Sequence, residues 1–307
     1  TGGIHWRPKL PRQVAMRDDG SPWKPRAPRG PPSTSPHPRA ERRDPPQRNA
    51  APASAQAPVP AREHRDVELR LYGLNAIRAV FAKRPQAIRK LYLAEARIPQ
   101  LQPLLKWCVA NRVGYRVVED ADLQKLAAST HHEGVVAEVL RQEPQSLTTW
   151  LRELPAGPQC ALWLDGVGNP HNLGAILRTA ECAGAHGVII PQRRSAGLTA
   201  IVAKTSAGAV SYIPVARVPN IPALLKDLKK QGVWVFGTAA DGNTTLYNAD
   251  LKGPAAIIIG SEGTGMTRLA AENCDFLVSI PMKGKISSLN ASAAAAILLY
   301  EAVRQRG

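Results

Sequence analysis

Apolar positions recur along most of this chain at one of two periods, and the period switches often enough to predict a mixed α/β protein. Over residues 75–82, Ala76, Ile77, Val80 and Phe81 stand at helical spacing. The stretch 89–94 (RKLYLA) reads as a strand and 103–111 (PLLKWCVAN) as a helix. A strand at 114–118, a capped helix at 120–127 and a third strand at 134–140 (GVVAEVL) follow. These elements predict a small α/β domain over residues 66–143, near the lower size at which a domain folds alone. Residues 144–158 read as a linker with one short helical turn.

From residue 159 to 307 the two periods alternate. Strands are predicted at 161–164, 187–190, 211–215, 233–237, 255–259 and 276–280, and helices at 173–184, 221–231 and 291–304. Strands alternating with helices imply a mostly parallel sheet covered on both faces. Ligands in such sheets gather beyond the C-terminal ends of the strands, so the loops that follow strands are the place to look for chemistry.

Residues 1–65 carry no such pattern. The first 60 residues hold 14 of the 27 prolines, and 11 Lys or Arg against 4 Asp or Glu. Such a segment buries too little apolar surface to offset chain entropy, and disorder is expected. It reads either as a basic arm that raises RNA affinity or as an inert leader. The whole chain has a formal net charge of +16 and a pI near 10.1. A surplus of that size favours a polyanionic partner, because each phosphate contact releases condensed counterions. A solubilising tail and an anionic membrane surface are the other readings of the charge. No apolar run approaches the roughly 20 residues of a membrane span. The sequence starts at Thr1 and shows no signal-peptide pattern. A soluble cytoplasmic protein is expected. Cys108, Cys160, Cys182 and Cys274 form no CxxC pair, and each lies in or beside an apolar run. They read as buried free thiols, with no metal site.

Three loops carry candidate chemistry. The first runs from Asp165 to Arg178 (DGVGNPHNLGAILR), and its helix is expected to start near Asn172. Asn172 is a good N-cap by residue type, and that structural role competes with a functional one. Arg178 either lies on a solvated helix face or holds a phosphate or oxyanion with its planar donor fork. The second loop, Ile257 to Gly265 (IIIGSEGTG), runs a buried β-branched strand into a glycine-rich turn with one carboxylate. The spacing is not GxGxxG, and Glu262 would repel a pyrophosphate, so a backbone-lined pocket for an adenosine-type ligand fits better. The third, Ser279 to Ser292 (SIPMKGKISSLNAS), leaves its strand at Pro281 and enters an alanine-rich helix. Ser288 or Asn290 is expected to cap that helix, and one polar residue beyond the cap is left for another task.

Taken together the three segments resemble the SpoU/TrmH branch of the SPOUT methyltransferases. The Asn-x-Gly-Ala-x-x-Arg pattern is met by Asn172, Gly174, Ala175 and Arg178, and the Gly-x-Glu-x-x-Gly pattern by Gly260, Glu262 and Gly265. Ile280, Pro281 and Met282 with Ser288, Leu289 and Asn290 meet the third pattern. Ala291 departs from the family's usual Val, and Ser287 from its frequent Glu or Gln. The resemblance implies a trefoil-knotted SPOUT domain over 159–307, preceded by a substrate-binding α/β module similar to certain ribosomal proteins. It implies S-adenosylmethionine as cofactor, held near Gly260, Ile280 and Leu289 with Thr238 and Met282 adjacent. It implies a homodimer acting on RNA, with the layout most like members that methylate a guanosine ribose in 23S rRNA. A tRNA substrate, or a non-catalytic ribosome-assembly factor of the same fold, are the rival readings.

The resemblance further implies that Arg178 activates the ribose 2′-hydroxyl. Arginine stays protonated below about pH 12, so orienting the hydroxyl and stabilising developing negative charge suits it better than removing a proton. On the same grounds Asn172 and Glu262 position Arg178 or the ribose. Ser288 and Asn290 shape the cofactor loop and contact the RNA backbone.

Overall fold

The computed structural model describes residues 68–154, 159–219 and 221–307. The leader expected over 1–65 lies outside the described residues.

A four-stranded sheet comes first. Its elements are β1 (Glu68–Tyr72), α1 (Leu74–Lys83), β2 (Ile88–Leu93), α2 (Ile98–Ala110), β3 (Gly114–Val117), α3 (Asp120–Ala127) and β4 (Val135–Leu140). The strand order is β1-β4-β2-β3, with β4 antiparallel to both neighbours and β2 parallel to β3. Helix α2 starts five residues before the expected point and carries Pro103 inside it. Helix α3 has the expected span, but no side chain caps it: Glu119 at its N-cap makes no side-chain hydrogen bond to the helix.

An eight-stranded sheet follows. Its elements are β5 (Gln145–Ser146), α4 (Leu147–Glu153), β6 (Cys160–Asp165), α5 (Pro170–Cys182), β7 (Gly187–Pro191) and α6 (Ala200–Thr205). The chain continues through β8 (Val215–Val218), α7 (Ile221–Lys230), β9 (Trp234–Thr238), β10 (Thr244–Thr245), β11 (Ala255–Gly260), α8 (Arg268–Glu272), β12 (Phe276–Ser279) and α9 (Ala291–Arg306). The order is β10-β12-β9-β11-β6-β7-β8-β5, and neighbouring strands pair in parallel throughout the described residues. The α/β fold with a mostly parallel sheet is therefore as the alternation predicts. From β6 the chain builds outward through β7 and β8, while β11 and β9 lie on the other side of β6. This reversal is the switch point at which open α/β sheets form ligand crevices.

Three expectations need correction. Part of the expected linker is built into the large sheet: β5 pairs with β8, and α4 buries Trp150 at 2% exposure. The Trp150 indole N–H donates to His186 O at 3.2 Å, so a buried aromatic with a satisfied polar edge ties this segment down. Residues 155–158 lie outside the described residues. The strand expected at 211–215 begins only at Val215, because Ala209–Ser211 form a 3-10 turn ahead of Pro214. Helices α6 and α8, too short to show a full apolar period, were not expected; each is capped by a threonine hydroxyl, Thr199 and Thr267. Of the cysteines, Cys108 and Cys160 are buried, Cys274 is half-buried and Cys182 is exposed. Burial pushes the Cys274 thiol up to about 11, and its Sγ lies 3.2 Å from Ala270 O.

The two sheets meet through Glu133. Its carboxylate accepts from the Leu74 N–H at 2.8 Å, at the start of α1, and pairs with Lys204 on α6. Partial burial opposes the Glu133 charge, but the hydrogen bonds from Lys204 and Leu74 outweigh it and hold the carboxyl below its ordinary range.

If the α4 segment belongs to the fold, Trp150→Ala will lower stability by about 3–5 kcal/mol, the usual cost of emptying a buried tryptophan site. A denaturant melt of the variant measures it. A midpoint equal to that of the wild type would mean that the segment is a passive connector.

Candidate active site

Helix α5 opens at Pro170, two residues before the expected start. Asn169 is the N-cap, its side chain accepting from the His171 N–H at 2.9 Å, and Pro170 occupies the first helical turn, where its missing N–H costs nothing. This corrects the reading of Asn172 as a cap. With capping done by Asn169, the Asn172 side chain is free to reach elsewhere. It reaches Glu262: Asn172 Nδ2 donates to Glu262 Oε1 at 2.5 Å. Asn290 Nδ2 donates to the same oxygen at 2.7 Å and to Asn172 Oδ1 at 3.1 Å. The Ala291 N–H at the start of α9 is 3.4 Å from Glu262 Oε1, where a helix N-terminus favours a carboxylate. Asn290 is also the N-cap of α9, its Oδ1 accepting from Ser292 N at 2.8 Å and from Ser292 Oγ at 2.6 Å. The structure thus brings one residue from each of the three loops to a single oxygen.

Beside this cluster lies a cavity of about 820 Å³ at the C-terminal ends of β9, β11 and β12. Thr238, Gly260, Glu262, Ile280, Met282, Ser288, Leu289 and Asn290 all line it. Thr238 Oγ1 donates to Ile258 O at 2.9 Å, which ties the end of β9 to β11. A Cβ on Gly260 would stand 2.2 Å from Gly265 C and Met266 N, so only glycine lets the end of β11 lie this close to the loop that returns past it. Arg178 is brought to neither the cluster nor the cavity. It is exposed on α5 and makes no hydrogen bond or ion pair with a described residue. Six residues past Asn172, it stands about 9 Å further along the helix and roughly 240° around it.

Sequence reasoning missed two carboxylates. Asp165 ends β6, is buried, and accepts at Oδ2 from Thr267 N at 2.7 Å and Thr267 Oγ1 at 2.8 Å. It pins the far end of the loop that leaves Gly260. The available signal was a carboxylate closing an apolar strand, since a buried charge must have partners. Asp241, in the turn after β9, lines the cavity. Asp241 and Glu262 are the ionisable side chains of the lining, which includes no Lys, Arg or His among the described residues.

These features fit S-adenosylmethionine. The volume falls in the range of small-molecule sites, about 300–1,000 Å³. The walls join close-packed backbone to apolar side chains left open to solvent, Met282 at 38% and Leu289 at 39% exposure. Two carboxylates with no cation suit a ligand bearing sulfonium and ammonium charges.

Residues 159–300 match the family model described as SpoU rRNA Methylase family. Residues 70–145 match the model described as RNA 2'-O ribose methyltransferase substrate binding. The chain belongs to the SpoU methyltransferase family, and is an S-adenosylmethionine-dependent RNA methyltransferase. It is 42% identical over 240 residues to the 23S rRNA (guanosine-2'-O-)-methyltransferase RlmB of Pseudomonas putida, covering 77% of this chain and 96% of that one. With RlmB of Ralstonia nicotianae it shares 44% identity over 242 residues, covering 77% of this chain and 95% of the relative. Among solved structures it is similar to the SpoU methyltransferase AviRb of Streptomyces viridochromogenes in complex with AdoMet. There the TM-score is 0.65 at 27% identity, covering 78% of this chain and 90% of that one. The AdoMet-bound rRNA methyltransferase of Sinorhizobium meliloti gives a TM-score of 0.65 at 27% identity, covering 77% and 87%.

Because Asp165 holds the Gly260–Thr267 loop against the cavity, Asp165→Ala is expected to weaken S-adenosylmethionine binding about tenfold, or roughly 1.4 kcal/mol. Asp165→Asn keeps an acceptor for Thr267 and should bind nearly as the wild type does. Titration calorimetry checks both. A folded Asp165→Ala protein with unchanged affinity would remove Asp165 from this role.

Proposed function

We propose that this chain methylates the 2′-hydroxyl of a guanosine ribose in 23S rRNA, acting as a cytoplasmic homodimer. The observation that carries the reading is the convergence of Asn172, Glu262 and Asn290 at the edge of the cavity. Three loops separated by up to 118 residues share one small space. The substrate is inferred from the RlmB relatives, whose names specify it.

When bound, S-adenosylmethionine supplies an activated methyl group. Gly260, Ile280 and Leu289 hold it, with Thr238 and Met282 beside them. Asn172 and Asn290 fix the Glu262 carboxylate by donating to Oε1. Its other oxygen, Oε2, has no hydrogen bond among the described residues and is available to accept from the ribose hydroxyl. Ser288, exposed on the cavity wall, contacts the RNA backbone. Arg178 stays protonated, orients the hydroxyl and its neighbouring phosphate, and stabilises negative charge as it develops on the 2′-oxygen. Alignment of this kind is what a poor nucleophile needs.

The position of Arg178 gives the homodimer its reason. The arginine lies outside the cavity of its own chain, on the exposed side of α5. Neighbouring α9 leaves Tyr300 and Val303 open to solvent. A second copy packed over this face brings Arg178 to the partner's site. A knotted C-terminal region belongs to the same reading. It is supported by the path of the chain, which leaves β12 and returns past Glu262 to lay α9 against α5 and β11. A cytoplasmic location is supported by the rRNA substrates of the relatives. No helix of the described residues is long and apolar enough to cross a membrane.

Arg178→Ala should abolish methyl transfer while S-adenosylmethionine binding persists, and Glu262→Gln should also be inactive. If Arg178 serves the partner's site, mixing the two variants restores activity, because each mixed dimer then holds one complete site. Failure of the mixture to recover activity would place Arg178 in its own chain's site or outside catalysis.

The substrate is tested by mapping 2′-O-methyl groups in RNA from cells lacking the protein. Loss of one guanosine methylation in 23S rRNA is expected. A loss confined to tRNA, or no loss at all, would overturn the substrate or the catalytic reading respectively.

A further inference from the structure

Charge is divided sharply around the cavity. The lining carries Asp241 and Glu262 and no cation among the described residues. The cations stand on two loops beside it. One is the segment from Gln192 to Gly197, between β7 and α6, where Arg193 and Arg194 are both exposed. The other is the segment after β12, where Lys283 and Lys285 are exposed between the lining residues Met282 and Ser287. None of the four makes a hydrogen bond or ion pair with a described residue.

The first loop is held at the rim by its backbone. Gln192 N–H donates to Val218 O at 2.8 Å and Ala196 N–H to Val167 O at 3.1 Å. A Cβ on Gly166 would lie 3.4 Å from Cβ of Ser261, a lining residue, and 4.0 Å from Arg194 O. The Arg194 backbone therefore sits one residue's thickness from the rim, beside Gly166 on the segment that leads into Asn172. Arg194 is held at φ 62, a left-handed conformation that costs a non-glycine residue energy. Two unpaired guanidinium groups on an anchored loop suit phosphate oxygens, which the planar fork binds in pairs.

We propose that Arg193 and Arg194 form a phosphate clamp for the RNA strand flanking the target nucleotide, with Lys283 and Lys285 adding to the same basic rim. The inference rests on the RNA methyltransferase reading above and says where the substrate strand runs. The acidic cavity receives the cationic cofactor, while the basic rim receives the polyanion. The clamp positions the strand and does not read its sequence, as is general for phosphate contacts.

The test uses the full-length chain and an in-vitro transcript of 23S rRNA, with affinity measured over a series of salt concentrations. The double variant R193A/R194A is expected to bind the transcript about tenfold more weakly. The slope of log affinity against log salt should fall by roughly 1.5, about 0.7–0.9 per lost phosphate contact. S-adenosylmethionine affinity, read by calorimetry on the same sample, should be unchanged. Lys252→Ala removes one exposed cation just ahead of β11, at the opposite end of the strands, and serves as the control for loss of charge alone. A slope for R193A/R194A equal to that of the wild type or of Lys252→Ala overturns the clamp. Failure of the wild-type chain to bind the transcript overturns the RNA reading itself.

Discussion

A single carboxylate oxygen, Glu262 Oε1, holds the site together. It receives the amide N–H groups of Asn172 and Asn290, with the Ala291 N–H close by. Hydrogen bonds to a charged acceptor are worth about 1.5–3 kcal/mol each, more than a neutral pair. The donors come from two distant parts of the chain: the first turn of α5, and the cap and first peptide of α9. Removing the carboxylate would leave two amide groups competing for water and would uncouple three loops. The buried Asp165 does the same work at the other end of the glycine-rich segment, where it receives both donors of Thr267. Two carboxylates, one open and one buried, thus hold the two ends of the segment that walls the cavity.

This arrangement also explains the charge distribution. A mostly parallel sheet gathers its loops along one edge, and that edge must serve two ligands of opposite sign. The chain separates them by position, cavity lining against surrounding loops. The cavity presents Asp241 and Glu262, while Arg193, Arg194, Lys283 and Lys285 stand on the surrounding loops. The net charge of +16 therefore says nothing about the pocket, whose sign is opposite.

Where sequence and structure part company, short range has lost to long range. Asn172 has the residue type of a cap, yet Asn169 three residues earlier has it too, and Pro170 settles which of them caps α5. Residues 144–158 look like a connector because only Trp150 and its neighbours are apolar, but that one indole finds a carbonyl and a buried site in the large sheet. Helices α6 and α8 are too short for an apolar period to stand out, and their threonine caps are the only local mark they leave. Arg178 shows the opposite case. Its motif is plain in the sequence, but its position within one chain leaves it outside the cavity.

The sequence by itself determined the class of fold and most of the alternation of its strands and helices, and it singled out the three loops that meet beside the cavity. These depend on the period of apolar positions and on local turn chemistry, both of which are written in contiguous residues. It also held the glycine at position 260, required by a contact as close as 2.2 Å to any added Cβ, without revealing what the contact was. Tertiary structure alone decided that Asn172, Glu262 and Asn290 meet at one oxygen, that Asp165 anchors the loop behind them, and that Arg178 faces away. Those are statements about distance between residues up to 118 positions apart, and such distances are set by how the strands stack in the sheet rather than by any local preference of the chain.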